Sequence, residues 1–372
     1  MSTQSAPFID PEDAARLLGS ALARPADANP TPRPAALAVF RRHLARIQQS
    51  VRQGFEEHRL DGEAAARSLS ALTDGLIRAL HDFTLTDALQ EEIAAAQRAA
   101  GPDGGTTLAI AATGGYGHGT LAPFSDIDLL FLTDEQPAPA ILAAVEFMLY
   151  FLWDLGLKVG HATRSVSQCI AEAADDTTIR TTLLDARRIV GDDALFSMFQ
   201  ARYIVACVEA GPSGFIVDKQ RERMIRHQRY GESPFLVEPN IKEGRGGLRD
   251  MQTLYWLSRY LLGTRGFADL ARPAGDAAPL LTEQEAKRAR RSWDFLWTVR
   301  FHLHYVAGRA EERLTFDMQP VVGARMGYTR HGRQVGVERF MRHYFLTARE
   351  VMRLTHIPVS YTHLTLPTNR EV

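Results

Sequence analysis

Apolar residues recur every three or four positions along two stretches near the N-terminus, a spacing that places them on one face of a helix. The stretches run over Phe40–Phe55 and Leu69–Phe83, and a third helix is predicted over 88–100. Residues 1–36 include a stretch rich in proline and alanine and are predicted as an irregular lead-in. We therefore expect an N-terminal helical segment over 37–105, ended by a glycine-rich break.

The pattern changes to short apolar runs after residue 105. Leu108–Ala112 is predicted as a buried strand, and Ile127–Leu132 as a second strand in which Asp128 faces away from its apolar neighbours. Further predicted elements are a helix over 140–155, a strand over 158–164 and an edge strand over 185–190. Together these elements indicate an α/β core over 106–191.

Helical spacing returns from residue 192 onward. A helix is predicted over 252–262, and Thr282-x-x-Glu285 is a capping box that begins a long helix reaching about residue 306. The sequence thus predicts an α/β plus all-α protein, in which a helical domain over 192–357 follows the core. Residues 358–372 lack an amphipathic period and look like a translated cloning scar, so we expect a non-native tail there. The natural protein is then expected to continue further, which would make this chain a fragment.

Charge and composition narrow the class of protein. The 372 residues carry a formal net charge of -1, so no strong field draws the protein onto nucleic acid or an anionic membrane. The most apolar run, Ala138–Leu157, contains Glu146 and Asp154 and is predicted as a buried helix rather than a membrane span. Cys169 and Cys207 lack metal-ligand spacing. We expect a cytoplasmic protein that binds neither nucleic acid nor membrane.

The residues best suited to catalysis are concentrated between positions 112 and 132. Gly114 and Gly115 follow the first strand, and glycines allow a backbone to approach a phosphate closely. Asp126 and Asp128 open the second strand, where alternate residues share a face. Two carboxylates on one rigid edge suit Mg²⁺, which prefers oxygen ligands and bridges to substrate phosphates. The segment therefore predicts metal-dependent nucleotidyl transfer, with both aspartates as catalytic residues and metal ligands.

Taken alone, each feature also has an interpretation without catalysis, because single D-x-D pairs and single glycine-rich turns are common. Gly117-x-Gly119-x-x-Ala122 also matches a dinucleotide-binding pattern. Pro123 interrupts the helix that such a site needs, and the acidic pair comes too early to contact a ribose. A P-loop pattern is absent from the sequence.

The segment resembles the DNA polymerase β-like nucleotidyltransferase superfamily, whose core is G-G/S, a short helix and D-x-D. Within it the chain is most similar to the uridylyltransferase/uridylyl-removing family, which modifies the PII nitrogen-signalling protein. Three further stretches carry the likeness: EPNIKEGRGGLRD over 238–250, ERLTFD over 312–317 and MGY over 326–328. The resemblance extends over about 40–355.

This resemblance implies a polymerase β-like nucleotidyltransferase domain, UTP as donor, a PII tyrosine hydroxyl as acceptor, and Mg²⁺ or Mn²⁺ as cofactor. It implies that Gly114 and Gly115 bind phosphate, that Ser125 contacts the triphosphate, and that Asp126 and Asp128 hold the metal.

The basic residues Lys242, Arg245 and Arg249, among the glycines of the 238–250 stretch, could contact a triphosphate or hold two domains together, and we interpret Lys242 and Arg249 as nucleotide-binding. The alternative is a capped loop before a helix, with Asp250 near the N-terminus of that helix.

Two departures from the family pattern are visible. His118 stands where the family usually has arginine, and the third carboxylate of the superfamily is not obvious. The strand over 158–164 carries His161, which either takes part in the site or is a structural histidine. Two other functions stay open: the related glutamine synthetase adenylyltransferase, which uses ATP and whose V-D-x-R-L-R pattern is absent, and a catalytically idle PII-binding or nucleotide-sensing module.

Overall fold

The computed structural model describes residues 11–22, 31–100, 105–208, 212–231, 233–264, 266–273 and 279–365. The chain divides into two compact units. Unit 1 comprises residues 1–121 and 125–207, and unit 2 comprises residues 122–124 and 208–372. Unit 1 therefore extends beyond residue 191, where the sequence pattern placed the end of the α/β core.

Unit 1 begins with helices, whose bounds are α1 Pro11–Leu22, α2 Arg33–Glu56, α3 Gly62–Phe83 and α4 Gln90–Ala100. The apolar faces predicted for α2 and α3 are buried. The predicted irregular lead-in is wrong in part, because α1 lies within it and α2 begins at Arg33. Pro34 falls in the first turn of α2, where a proline loses no helical hydrogen bond, so a proline-rich sequence does not prevent a helix from starting.

The strands of unit 1 are β1 Leu108–Ala112, β2 Ile127–Thr133, β3 Val159–Ser165 and β4 Arg187–Gly191, and each lies within two residues of its predicted bounds. They form one mixed sheet in the order β3-β2-β1-β4. Strand β1 pairs antiparallel with both β2 and β4, whereas β2 and β3 are parallel. The helices of this part are α5 Gly114–Gly117, α6 Pro139–Asp154, α7 Val166–Asp175, α8 Thr177–Leu184 and α9 Asp193–Tyr203.

Unit 2 is helical, with α10 Pro212–Tyr230, α11 Leu248–Leu262, α12 Glu283–Ala307, α13 Met318–Arg325 and α14 Gly336–Thr365. The capping box is confirmed, because the side chains of Thr282 and Glu285 each bond the backbone N–H of the other at the start of α12. Helix α14 includes residues 358–365 of the predicted non-native tail, whose origin stays a prediction; residues 366–372 lie outside the described residues.

The apolar run Ala138–Leu157 forms α6, which buries one side against the rest of unit 1, as predicted. Among the helices that the structure describes, none is both long and apolar enough to cross a membrane. Cys169 and Cys207 are buried, free thiols.

Candidate active site

A single helical turn follows β1 and contains two glycines that no other residue could replace without strain or collision. Gly114 has φ +56°, in the left-handed region that favours glycine. Gly117 has no room for a side chain, because a Cβ there would lie 2.3 Å from the carbonyl oxygen of Asp185 and 2.9 Å from that of Ala112. The short turn predicted from the sequence is confirmed, and its backbone is tightly fixed.

Asp128 lies beside this turn. It is the second residue of β2, and its carbonyl oxygen accepts a hydrogen bond of 3.0 Å from the N–H of Thr113. Its carboxylate fits between two glycines: a Cβ on Gly114 would lie 3.3 Å from Oδ2, and a Cβ on Gly160 would lie 2.3 Å from Oδ1. The carboxylate can occupy this position only because Gly160 lacks a side chain.

Ser125 and Asp126 immediately precede β2. Asp126 is exposed, and Ser125 and Asp128 are half-buried. Between the two aspartates, Ile127 is buried and donates its N–H to the carbonyl of Lys158 at 2.9 Å. Since alternate residues of an extended chain share a side, both carboxylates project away from Ile127 and toward the same side of the sheet.

A cleft of about 250 Å³ opens at Asp128. One wall is the exposed side of β2 and β3, and the other is helix α8. The wall of α8 presents the polar residues Thr178 and Thr182 next to Ile179. The cleft thus combines a carboxylate, glycine backbone and hydroxyl groups with apolar surface, a combination that suits a small polar ligand with an apolar ring.

His161 does not share the side of Asp128. In the parallel pairing of β2 and β3, Asp128 is opposite Gly160, and His161 is opposite Leu129. Paired residues on neighbouring strands point to the same face, so the His161 side chain lies on the other face, where its ring contacts Trp153 at 5.9 Å between centroids. The ring of His161 therefore points away from the Asp128 carboxylate, but the residue is exposed and also lines the cleft, and its role stays a prediction.

His118 follows the glycine turn as its C-terminal cap. Its N–H donates to the carbonyl of Gly114 at 3.1 Å, and the residue is half-buried. The backbone of the residue that stands in place of the arginine usual in the family is therefore bonded directly to the backbone of the predicted phosphate-binding residue.

Lys242 and Arg249, the other predicted nucleotide-binding residues, lie in unit 2. The guanidinium of Arg249 donates to Glu243 at 3.0 and 3.3 Å and to Gln252 at 2.9 Å, and it lies 5.4 Å from the centre of the Trp256 ring. Lys242 is half-buried, and burial, followed by the charges of Arg300 and Arg249, lowers its pKa. A nucleotide contact by either residue stays a prediction.

The loop that carries both residues is capped, as the alternative interpretation required. The Asn240 side chain accepts hydrogen bonds from the N–H groups of Lys242 and Glu243 at 3.1 and 2.6 Å. The loop also pairs with the second family-like stretch, because the N–H of Ile241 donates to the carbonyl of Glu312 at 2.8 Å. Two motifs far apart in the sequence therefore form one structural feature of unit 2.

Asp250, the third residue of α11, is fully buried and bonds to groups on both sides of the start of this helix. It accepts hydrogen bonds from the N–H of Gly246 at 2.8 Å, from His227 at 2.9 Å and from Arg226. Burial would raise the pKa of this carboxyl, but the His227 bond and the charges of Arg223 and Arg226 outweigh burial and lower it. The position of Asp250 near the start of a helix is confirmed, whereas its partners on α10 were not predicted.

A second buried ion pair involves the ERLTFD stretch through its first residue, Glu312. Glu312 accepts two hydrogen bonds from Arg300 Nε, at 3.0 and 3.1 Å, and lies 3.5 Å from His304 Nε2. His304 is fully buried, and its Nδ1 bonds the carbonyl of Pro123. Burial would raise the pKa of Glu312, but Arg300 and then His304 hold it at about 2.

Sequence reasoning missed Gly160, although a glycine inside a strand pattern is a signal of close approach by another group. It also missed Asp74 and Arg187, which bond to Tyr116 of the glycine turn from positions distant in the sequence.

Comparison with known protein families places these features in context. The family described as GlnD PII-uridylyltransferase matches residues 214–358. A bifunctional uridylyltransferase/uridylyl-removing enzyme of Gluconobacter oxydans (strain 621H) is 50% identical, over 97% of this chain and 38% of the relative. Enzymes with the same name from Azospirillum brasilense and Rhodospirillum rubrum are 45% and 44% identical, over 87% and 86% of this chain.

The chain spans 38% of the length of the first relative and 33% of the length of the other two. The matched part includes nearly all of both units. By sequence, the chain belongs to the family of bifunctional uridylyltransferase/uridylyl-removing enzymes.

Proposed function

We propose that this chain transfers UMP from UTP to a tyrosine hydroxyl of PII and releases pyrophosphate. The observation that carries the proposal is the Asp128 carboxylate lying against Gly114, at the first residue of the glycine turn. Gly114 offers a backbone that a phosphate can approach, and Asp128 offers a carboxylate that can hold a divalent cation. The two residues lie side by side in one cleft. The names of relatives that are 50% and 45% identical support UTP as the nucleotide.

We also infer that the sheet of unit 1 is a polymerase β-like nucleotidyltransferase core. Supporting features are the glycine turn directly after β1, the D-x-D at the start of the antiparallel neighbour β2, and the parallel strand β3 beside it. The cytoplasm, where thiols such as the free cysteines of this chain remain reduced, is the compartment that we propose.

In the proposed reaction the phenolic oxygen of tyrosine forms a bond to the α-phosphorus of UTP. The bond from that phosphorus to the bridging oxygen breaks, its electron pair leaves with pyrophosphate, and the phenolic proton passes to solvent. Gly114, Gly115 and Ser125 would bind the triphosphate, which orients the α-phosphate toward the incoming oxygen. Thr178 and Thr182, with the apolar surface beside them, would contact the nucleoside.

Asp126 and Asp128 fit a divalent cation such as Mg²⁺ or Mn²⁺. Two carboxylates point to one side of β2, and no group of three or more metal-ligating side chains occurs among the residues that the structure describes. This set suits Mg²⁺, which typically takes one or two carboxylates and completes its coordination with water and substrate phosphates. When bound, the cation would neutralise negative charge that develops on the phosphates.

Of the two candidate basic residues in unit 2, Lys242 is the better nucleotide ligand. Arg249 already donates to Glu243 and Gln252, and it would have to give up one of these partners to bind a phosphate. The ammonium group of Lys242 is 4.0 Å from its nearest carboxylate, that of Glu243.

The test is label transfer from each of the four α-³²P-labelled nucleoside triphosphates, with purified PII as acceptor and Mg²⁺ in excess. We expect label on PII from UTP alone, resistant to denaturation and removed by phosphodiesterase. Transfer from ATP in preference to UTP would support the adenylyltransferase alternative. Failure to transfer any nucleotide, with UTP binding retained, would support the idle module.

A further inference from the structure

Three side chains from three separate elements meet beneath the glycine turn. The Tyr116 hydroxyl, from the turn itself, donates to Asp74 Oδ1 at 2.7 Å, and Asp74 lies on α3. Arg187, the first residue of β4, donates to both oxygens of Asp74, at 2.6 and 3.1 Å. Asp74 thus joins the N-terminal helices, the turn and the edge strand of unit 1.

The Asp74 carboxylate is buried, so its negative charge has to be paired. Asp74 is 5% exposed and Tyr116 1% exposed, and a buried charge is tolerated only when it is paired and hydrogen-bonded. Arg187 supplies the opposite charge, and Arg78 adds a more distant one at 3.8 Å. Burial, and then the charge of Asp74, raise the pKa of Tyr116 well above its ordinary value, so the phenol remains a hydrogen-bond donor at neutral pH.

Asp74 and Arg187 hold the turn through their contacts with Tyr116. Arg187 contacts Tyr116 twice: it donates to the Tyr116 carbonyl at 3.4 Å, and its guanidinium carbon is 5.8 Å from the centre of the ring. Gly117 is packed against the carbonyl of Asp185, which leaves the turn no space to move in that direction. Opposite these contacts, Gly114 faces the Asp128 carboxylate. A shift of the turn would therefore change the separation of Gly114 from Asp128.

We propose that Asp74 is a positioning residue for nucleotidyl transfer, which acts through Tyr116 and Arg187 to hold the Gly114–Gly117 turn in register with Asp128. This inference rests on the proposed function, since it assigns the turn to the triphosphate. It gives helix α3, outside the α/β core, an indirect part in the active site, through Tyr116 and Arg187. Asp74 itself contacts the turn only through the Tyr116 hydroxyl and the guanidinium of Arg187.

Two substitutions test the cluster with minimal change of volume. Tyr116→Phe removes one hydrogen bond and keeps the ring, and Asp74→Asn keeps the shape but removes the charge that pairs with Arg187. The matched control is Tyr255→Phe on α11, which also removes a buried tyrosine hydroxyl, in this case one that accepts a hydrogen bond of 2.7 Å from Arg259.

Four quantities are measured on each folded variant: the KM for UTP, the KM for PII, kcat, and the dissociation constant of UTP by calorimetry. We expect Tyr116→Phe to raise the UTP constants by about tenfold, the scale of one buried hydrogen bond, with a larger effect for Asp74→Asn. The KM for PII should stay at the parental value. The control should lose stability in urea by a similar amount to Tyr116→Phe and keep the parental UTP constants.

Parental UTP constants and kcat in Tyr116→Phe would overturn the inference and leave the cluster a purely structural one. If Asp74→Asn does not fold, Tyr116→Phe decides alone. If the parent binds UTP but transfers nothing, the proposed function fails, and the dissociation constants still decide the role of the cluster. A parent that neither binds nor transfers would contradict both.

Discussion

Adding one methyl group at Gly160 should displace the Asp128 carboxylate and little else. A Cβ at position 160 would lie 2.3 Å from Asp128 Oδ1, whereas ordinary contact begins at about 3.4 Å. The carboxylate must therefore move by roughly 1 Å or rotate away, because it is the group that a Gly160→Ala substitution meets first. Misplacement of a reacting group by about 1 Å can cost on the order of 10²-fold in rate.

We expect Gly160→Ala to lower kcat/KM for uridylyl transfer by about 10²-fold, which corresponds to about 2.7 kcal/mol in the transition-state free energy. Stability should change little, because replacing a glycine with alanine reduces the entropy of the unfolded chain by an amount worth about 0.4–1 kcal/mol. That gain offsets part of the cost of moving the side chain of Asp128.

The assay combines steady-state transfer to PII with urea unfolding of the same preparations. Gly214→Ala on α10 is the control, since a Cβ there meets no heavy atom within 4 Å. A folded Gly160→Ala variant with near-parental kcat/KM would refute the argument that the position of this carboxylate governs catalysis. A variant that fails to fold would refute the premise that only a side chain moves.

Three further predictions follow from the site and from unit 2. His118→Arg should lower the KM for UTP or leave it unchanged, because a guanidinium can bind a phosphate through two hydrogen bonds; a large loss of activity would show that the imidazole has its own role. EDTA should stop transfer and excess Mg²⁺ should restore it, and transfer that persists in EDTA would argue against the carboxylate pair as a cation site. Glu312→Gln should lower the free energy of unfolding at pH 7 by about 3 kcal/mol, because the pKa of Glu312 falls from 4.5 to about 2 on folding. This stabilisation is complete above the unfolded pKa and is lost as pH falls through the folded pKa, so urea titrations should show the gap between parent and variant narrowing from pH 4.5 toward pH 2.

The sequence predicted the strands and most helices closely because apolar spacing reports directly on which side of an element is buried. Leu108–Ala112 is buried along its whole length and matches its predicted bounds. The segment before Arg33 was less predictable, since proline content signals irregular chain and yet permits the first turn of a helix. Helix α11 begins four residues before the predicted start at 252, because the glycines before it conceal where the helix starts.

The site itself was predicted only where its residues adjoin in sequence. Gly114, Asp126 and Asp128 lie on two consecutive strands and their connection, so local spacing was enough to place them. Asp74 and Arg187 lie 42 and 71 positions from Tyr116, and no local pattern joins them. A single sequence identifies the groups that do chemistry more readily than those that hold them in place.

Transfer by the parent chain and by Asp128→Asn, compared in one experiment, tests the central claim most directly. The amide keeps the size of the side chain between Gly114 and Gly160 and removes the charge that a cation requires. Asp154→Asn, at an exposed aspartate paired with Arg33 on the same unit, controls for loss of a carboxylate. Mass spectrometry of intact PII and its peptides is expected to show one uridylyl group on a tyrosine with the parent and with the control, and a rate lower by about 10²–10³-fold or more with Asp128→Asn. Modification of PII at the parental rate by folded Asp128→Asn, or no uridylylated tyrosine with the parent, would contradict the account.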